Sequence, residues 1–134
     1  MSAVTDSSDS YRKAAEFRAE LRRFLRRSEI VARDVGITPR QHLLLLQIAG
    51  SEDETTTVSR LVDSLSLTQS AVTELVQRAE AAGLVARASS KFDGRVVNLS
   101  LTEAGKRKLA QVHDALGPER SHLRVAIDAL PDTD

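Results

Sequence analysis

The chain has 134 residues, with 19 basic and 19 acidic side chains, 41% hydrophobic residues and only 3% aromatic ones. That length fits one domain with a modest core of Leu, Val, Ile and Ala, a composition that favours helices. The lack of cysteine excludes disulfides, thiolate nucleophiles and Cys-ligated metals. No apolar run approaches the roughly 18 residues of a membrane span, and Met1 to Ser10 has no signal-peptide apolar block, so a cytoplasmic location is expected.

Residues 1–9 are rich in Ser and Asp and read as a disordered tail. From about Ser10, the series Ala14, Phe17, Leu21, Phe24, Ser28, Val31 and Val35 alternates steps of three and four. This predicts a long amphipathic helix that Gly36 stops. Its other face carries Arg12, Arg18, Arg22, Arg23, Arg26 and Arg27. That face is either an ordinary solvated one, or the stripe packs on another helix pair or subunit with some arginines near a phosphate or ligand.

Thr38-Pro39-Arg40-Gln41 is a helix start, with Thr38 and Gln41 as a capping box and Pro39 at the first helical position. Leu43, Leu44, Leu46 and Ile48 predict a largely buried helix, and Gly50 its stop. Ser51 to Thr56 reads as an acidic surface loop. Val58, Leu61, Val62 and Leu65 then share a helical face, as do Val72, Leu75, Val76 and Ala79. Thr68 caps the second of these helices, and Leu67 can staple against Val72. A linker this short forces the two helices to cross steeply, as in a helix-turn-helix.

Gly83 ends the second helix. Leu84 to Ser89 and Val96 to Leu101 alternate as strands, with Val97, Leu99 and Leu101 facing inward and Asp93-Gly94 as a turn signal between them. A hairpin this small needs the helices as a platform. Thr102 caps a further helix bearing Leu109, Val112 and Leu116. Gly117-Pro118 interrupts it, Leu123, Ile127 and Leu130 continue it, and Pro131 ends it. The fold class is therefore mostly α with a small β-hairpin, a winged helix-turn-helix.

Charge is segregated along this neutral chain. Residues 10–40 hold nine bases and four acids, and residues 60–108 hold eight bases and five acids. The outward face of the second short helix offers Gln69, Ser70, Thr73, Glu74, Gln77 and Arg78. Gln, Ser and Thr can read base edges in a major groove, and Arg78 can take a phosphate or a guanine. The helix start at Thr68 to Ser70 offers N–H groups to a phosphate. The hairpin tip puts Lys91 and Arg95 where a narrow minor groove attracts them. Asp93 would repel DNA, so it is assigned to stabilising the turn. Glu74 can accept from cytosine or simply weaken binding.

The series Leu67-Thr68-Gln69-Ser70-Ala71-Val72-Thr73, then Ala82-Gly83-Leu84-Val85, Asp93-Gly94-Arg95 and Leu101-Thr102-Glu103-Ala104-Gly105, resembles the MarR family of bacterial transcription regulators. The resemblance implies a homodimer on a pseudo-palindromic operator, with one domain over residues 10–134. Within it, 10–36 and 106–134 would be dimerisation helices and 38–105 the winged, DNA-binding part. By position Gln69, Ser70 and Thr73 would face bases, Thr68 and Arg78 backbone or base edges, and Arg95 the minor groove, with Asp93 bracing the wing. The family pattern usually continues into another helix beyond Pro131. It also implies a small aromatic effector between the dimer helices and the winged part; by helix placement Phe17, Arg18, Phe24 and His42 are candidate neighbours, with core packing the favoured role for both Phe residues. No other cofactor is expected. His42, His113 and His122 lack ligand spacing, and no phosphate-binding or nucleophile motif occurs, so neither a metal site nor catalysis is expected. The alternative is a winged helix used only for protein contact.

Overall fold

The computed structural model describes residues 3–90 and 92–132. In chain order it contains α1 (Ala3–Val35), α2 (Pro39–Ala49), a 3-10 turn (Glu52–Glu54), α3 (Val58–Leu65), α4 (Gln69–Ala81), β1 (Val85–Ser89), β2 (Val97–Leu101), α5 (Glu103–Ala115) and α6 (Gly117–Asp128). This is the mostly helical, winged helix-turn-helix arrangement that the sequence predicts. Among the described residues no helix is long and apolar enough to cross a membrane.

The centre is α2. Its start is held by the expected capping box: Gln41 N–H donates to Thr38 Oγ1 at 3.1 Å, and Thr38 N–H donates to Gln41 Oε1 at 3.0 Å. Leu44, Leu45 and Ile48 are fully buried, together with Leu61 of α3, Val72, Val76 and Ala79 of α4, Leu99 of β2 and Val112 of α5. Because Leu44, Leu45 and Ile48 define the inward face, Leu43 and Leu46, expected inside, fall on the opposite side and are half exposed.

Helix α1 takes in most of the segment read as a tail; only Met1 and Ser2 of it lie outside the described residues. Asp9 explains part of the extension. It pairs with Arg12 and, at 3.2 Å, with Lys13, one helical turn on, and pairs at these spacings support a helix. The 33 residues of α1 span roughly 50 Å. Burial along it is uneven: Ser28, Val31 and Ala32 are buried, Phe17, Leu21 and Phe24 half-buried, and Tyr11, Leu25 and Ile30 exposed. Helix α6 packs against α1 and contributes no buried residue. The two form an arm, from which only Val31 and Ala32 of α1 enter the buried hydrophobic core.

The hairpin pairs Val85 with Leu101, Arg87 with Leu99 and Ser89 with Val97. Val85 and Leu99 are buried, Leu101 is half-buried, and Val97 stays exposed at the outer end. Thr56, read as loop, closes the other side of β2. Leu99 N–H donates to Thr56 O at 2.8 Å and Thr56 N–H to Leu99 O at 3.1 Å. One residue carries no strand periodicity, so this bridge leaves no sequence signal. Thr102 then joins the end of α4 to the start of α5. It accepts from Gly105 N–H at 3.0 Å and donates its hydroxyl to Gly83 O at 2.5 Å. Gly83 sits at φ +76°, the left-handed conformation that ends α4. Helices α5 and α6 meet at Leu116, with Pro118 in the first turn of α6.

One buried titratable group lies where α1 meets α2. His42 is buried, with Nδ1 3.4 Å from Ser28 Oγ. Desolvation, then the charge of His113, lowers its pKa below the ordinary histidine value. An unfolded histidine titrates near about 6.5. As pH falls through that value the unfolded chain takes up a proton that the folded chain refuses, so stability falls from there toward the folded pKa. Thermal denaturation at about pH 7.5 and about pH 5.5 should show a larger loss for the wild type than for His42→Asn. Equal losses would show that His42 does not contribute.

Candidate nucleic-acid interface

Helix α4 is anchored by Val72, Leu75, Val76 and Ala79, which are buried, so its opposite side must face solvent. The turn before it is tight. Ser66 adopts φ +54°, Leu67 N–H donates to Val62 O at 3.3 Å, and Leu67 packs on the core cluster that contains Val72. Thr68 Oγ1 accepts from Ala71 N–H at 3.1 Å, as its cap role predicts. The N–H groups of Gln69 and Ser70 belong to the first turn and have no intrahelical acceptor. They point along the helix axis at whatever anion lies ahead of it.

The structure brings Thr68, Gln69, Ser70 and Arg78 onto one exposed surface with Glu74 and Gln77. Thr73 is half-buried at its edge. Arg78 is not a free cation: its Nη2 lies 2.7 Å from Glu74 Oε1. Arg33 and Arg40, not singled out from sequence, line a cleft of about 530 Å³ beside Glu74 and Arg78, between the start of α2 and α4. Nothing local in the sequence marks them, because the cleft forms only where separate helices converge. Arg87 of β1 is tied to Glu80 of α4 at 3.0 Å, which braces the wing against the helix.

The wing tip is built around Asp93. Its Oδ1 accepts from Arg95 N–H at 3.0 Å and lies 3.3 Å from Arg95 Nε. Val96 N–H donates to Asp93 O at 3.0 Å, and Ser90 Oγ accepts from Phe92 N–H at 3.2 Å. The Asp93 carboxylate thus turns back into the loop, and the Arg95 side chain is 94% exposed. Lys91 lies outside the described residues. Phe92, which the sequence reading passed over, is fully exposed beside it.

A groove of about 690 Å³ opens between α2 and α5, with Leu46, Ala49 and Leu109 as apolar lining and Lys106, His113 and Asp53 as polar lining. None of Phe17, Arg18, Phe24 and His42, expected as effector neighbours, lines it. His42 is turned into the core instead, and Phe24 lines a smaller cleft of about 240 Å³ with Glu119 and His122. Among the described residues no group of three or more His, Cys, Asp or Glu is placed to hold a metal ion.

A helix pair joined by a tight turn, an outward polar helix face and a braced basic wing define a winged helix-turn-helix protein. Residues 35–96 match the model of the MarR family. The chain is 34% identical over 77 residues to the HTH-type transcriptional repressor MdtR of Bacillus subtilis (strain 168), a match that covers 58% of this chain and 48% of that protein. The chain thus spans about half the length of this curated relative. Among solved structures, a MarR mutant from E. coli complexed with operator DNA superposes with a TM-score of 0.67 at 23% identity, covering 85% of this chain and 79% of that one. The YusO protein of Bacillus subtilis gives 0.63 at 25% identity, covering 98% and 88%. The likeness to the MarR family thus covers the winged part of the chain, residues 35–96.

Proposed function

We propose that this chain is a sequence-specific DNA-binding transcription repressor, acting without catalysis as a cytoplasmic homodimer on a pseudo-palindromic operator. The observation that carries the reading is the surface of α4. A helix held by four buried apolar residues turns its Gln, Ser and Arg side chains outward, and a wing with an exposed Arg95 stands beside it. A major groove admits such a helix, and a minor groove draws in such an arginine. The relative from Bacillus subtilis is named a transcriptional repressor, and the E. coli MarR structure contains operator DNA. In the same roles, Gln69, Ser70 and Thr73 contact bases, Thr68 and Arg78 contact backbone or base edges, Lys91 and Arg95 reach the minor groove, and Asp93 shapes the wing. The groove between α2 and α5 is within the size range of small-molecule sites and is where a small aromatic effector would sit.

The test is a salt titration on DNA fragments selected from a genomic pool. With six to ten phosphate contacts, affinity should fall about 10³–10⁵-fold between roughly 50 and 200 mM salt. Arg95→Ala should bind more weakly and lower the salt slope by about one per wing, with an unchanged circular dichroism spectrum. An unchanged slope and affinity would remove the wing from the mechanism. No binding at low salt would leave a protein-contact module instead.

A further inference from the structure

Glu74 lies in the middle of the exposed row on α4, on the surface that meets DNA in the reading proposed above. DNA is a polyanion, so a carboxylate there opposes nonspecific binding and would have to contribute something else. The structure shows what it is joined to. Its Oε1 lies 2.7 Å from Arg78 Nη2, with the two side chains 61% and 74% exposed respectively. As a helix staple alone, an exposed pair of this kind contributes little. An ionised carboxylate has about four acceptor sites and a guanidinium five donors, so one contact between them leaves most of each for a base.

The chemistry of the two groups is complementary to one kind of base pair. A carboxylate only accepts, and the major groove offers it cytosine N4 or adenine N6 as donors. Adenine sets its N7 acceptor next to N6, which repels the second carboxylate oxygen, whereas guanine offers only acceptors. In a C·G pair the N4 donor of cytosine and the O6 and N7 acceptors of guanine lie side by side. We infer that Glu74 selects cytosine at one position of each operator half-site, and that Arg78, held by Glu74, takes the guanine edge beside it. This assignment rests on the DNA-binding reading and adds to it a specificity-determining acid.

The experiment is selection from a random duplex library with the full chain, run in parallel for wild type, Glu74→Ala and Glu74→Gln. Wild type should enrich a motif with a C·G pair in each half-site. Glu74→Ala should lose the preference at that pair, about tenfold or more in relative affinity, and keep the rest of the motif. Glu74→Gln should shift that position toward adenine, which glutamine contacts bidentately. A motif unchanged in both variants overturns the assignment. So does a uniform rise in affinity for all sequences, which would make Glu74 a source of repulsion and no more. If wild type enriches no motif, the DNA-binding reading itself fails, a result distinguishable from failure of Glu74 alone. Both substitutions are on the helix surface, and matching circular dichroism spectra would verify that all three proteins are folded.

Discussion

Gly105→Ala is expected to lower the melting temperature by about 10 °C, the largest loss among alanine substitutions at the six glycines. A Cβ at that position would lie 2.1 Å from Leu84 O and 3.1 Å from Leu84 C, both backbone atoms. No side-chain rotamer can relieve such a contact, so either α5 must tilt away or the segment before β1 must move. Both are fixed. Gly105 N–H is bonded to Thr102 Oγ1, and Thr102 N–H is bonded to Leu84 O itself at 3.1 Å. Opening the contact therefore also weakens the bonds that join α4, β1 and α5. Overpacking of this kind costs about 3 kcal/mol or more, and each kcal/mol moves the melting temperature of a domain this size by about 3–4 °C. Differential scanning calorimetry at one protein concentration checks the expectation. A shift under about 2 °C would mean that the close packing of α5 on Leu84 is not what the glycine serves.

The same glycine shows where sequence reading stops. Leu101-Thr102-Glu103-Ala104-Gly105 was legible as a helix start, because a threonine cap and its N–H donor three residues on are local features. The reason for glycine was not, since it depends on the backbone of Leu84, which is distant in sequence. The capped starts at Thr38, Thr68 and Thr102 were all readable on the local ground, and so were the strands of the hairpin, from their alternation. Thr56 was not, because pairing on a single residue leaves no period. The run Leu43 to Leu46 misled for a related reason: four leucines in a row fit any helical phase. Only the fold shows that Leu44 and Leu45 point inward while Leu43 and Leu46 do not.

The candidate interface divides in the same way. The outward residues of α4 follow from the buried ones by helical period, so Gln69, Ser70 and Arg78 were legible once Val72, Leu75 and Val76 were placed. The internal bonds of the wing follow from Asp93 lying two residues before Arg95. What needed coordinates was the convergence of separate segments. Arg33 ends α1, Arg40 starts α2 and Arg78 is on α4, yet one cleft gathers all three around Glu74. The i, i+4 spacing of Glu74 and Arg78 was itself visible in the sequence, and it makes the acid half of a pair rather than an isolated repulsive charge.

Val125→Asp is expected to abolish high-affinity operator binding while leaving the protomer folded. Val125 lies on α6 and is 70% exposed, and Leu25 on α1 and Ile127 on α6 are also exposed. Helix α6 buries no residue within the chain, and the stripe from Phe17 to Phe24 is only half covered by it. A pair of helices with this much uncovered apolar surface calls for a further layer, and a second copy of the same arm supplies one with matching chemistry. A charge at Val125 in such an interface would be desolvated and unpaired. In the separate protomer it stays in water, so the fold is not at stake; that is why it tests dimerisation more cleanly than Leu21 or Phe24, which are partly buried within the chain. In the proposed dimer, two winged domains joined through the arm would bind two half-sites with an avidity about 10²–10⁴ times that of one. Sedimentation should therefore show a monomer with native circular dichroism, and operator affinity should fall by that factor. A dimer that persists with unchanged affinity would place the interface elsewhere. A monomer that still binds at full strength would mean that one winged domain suffices.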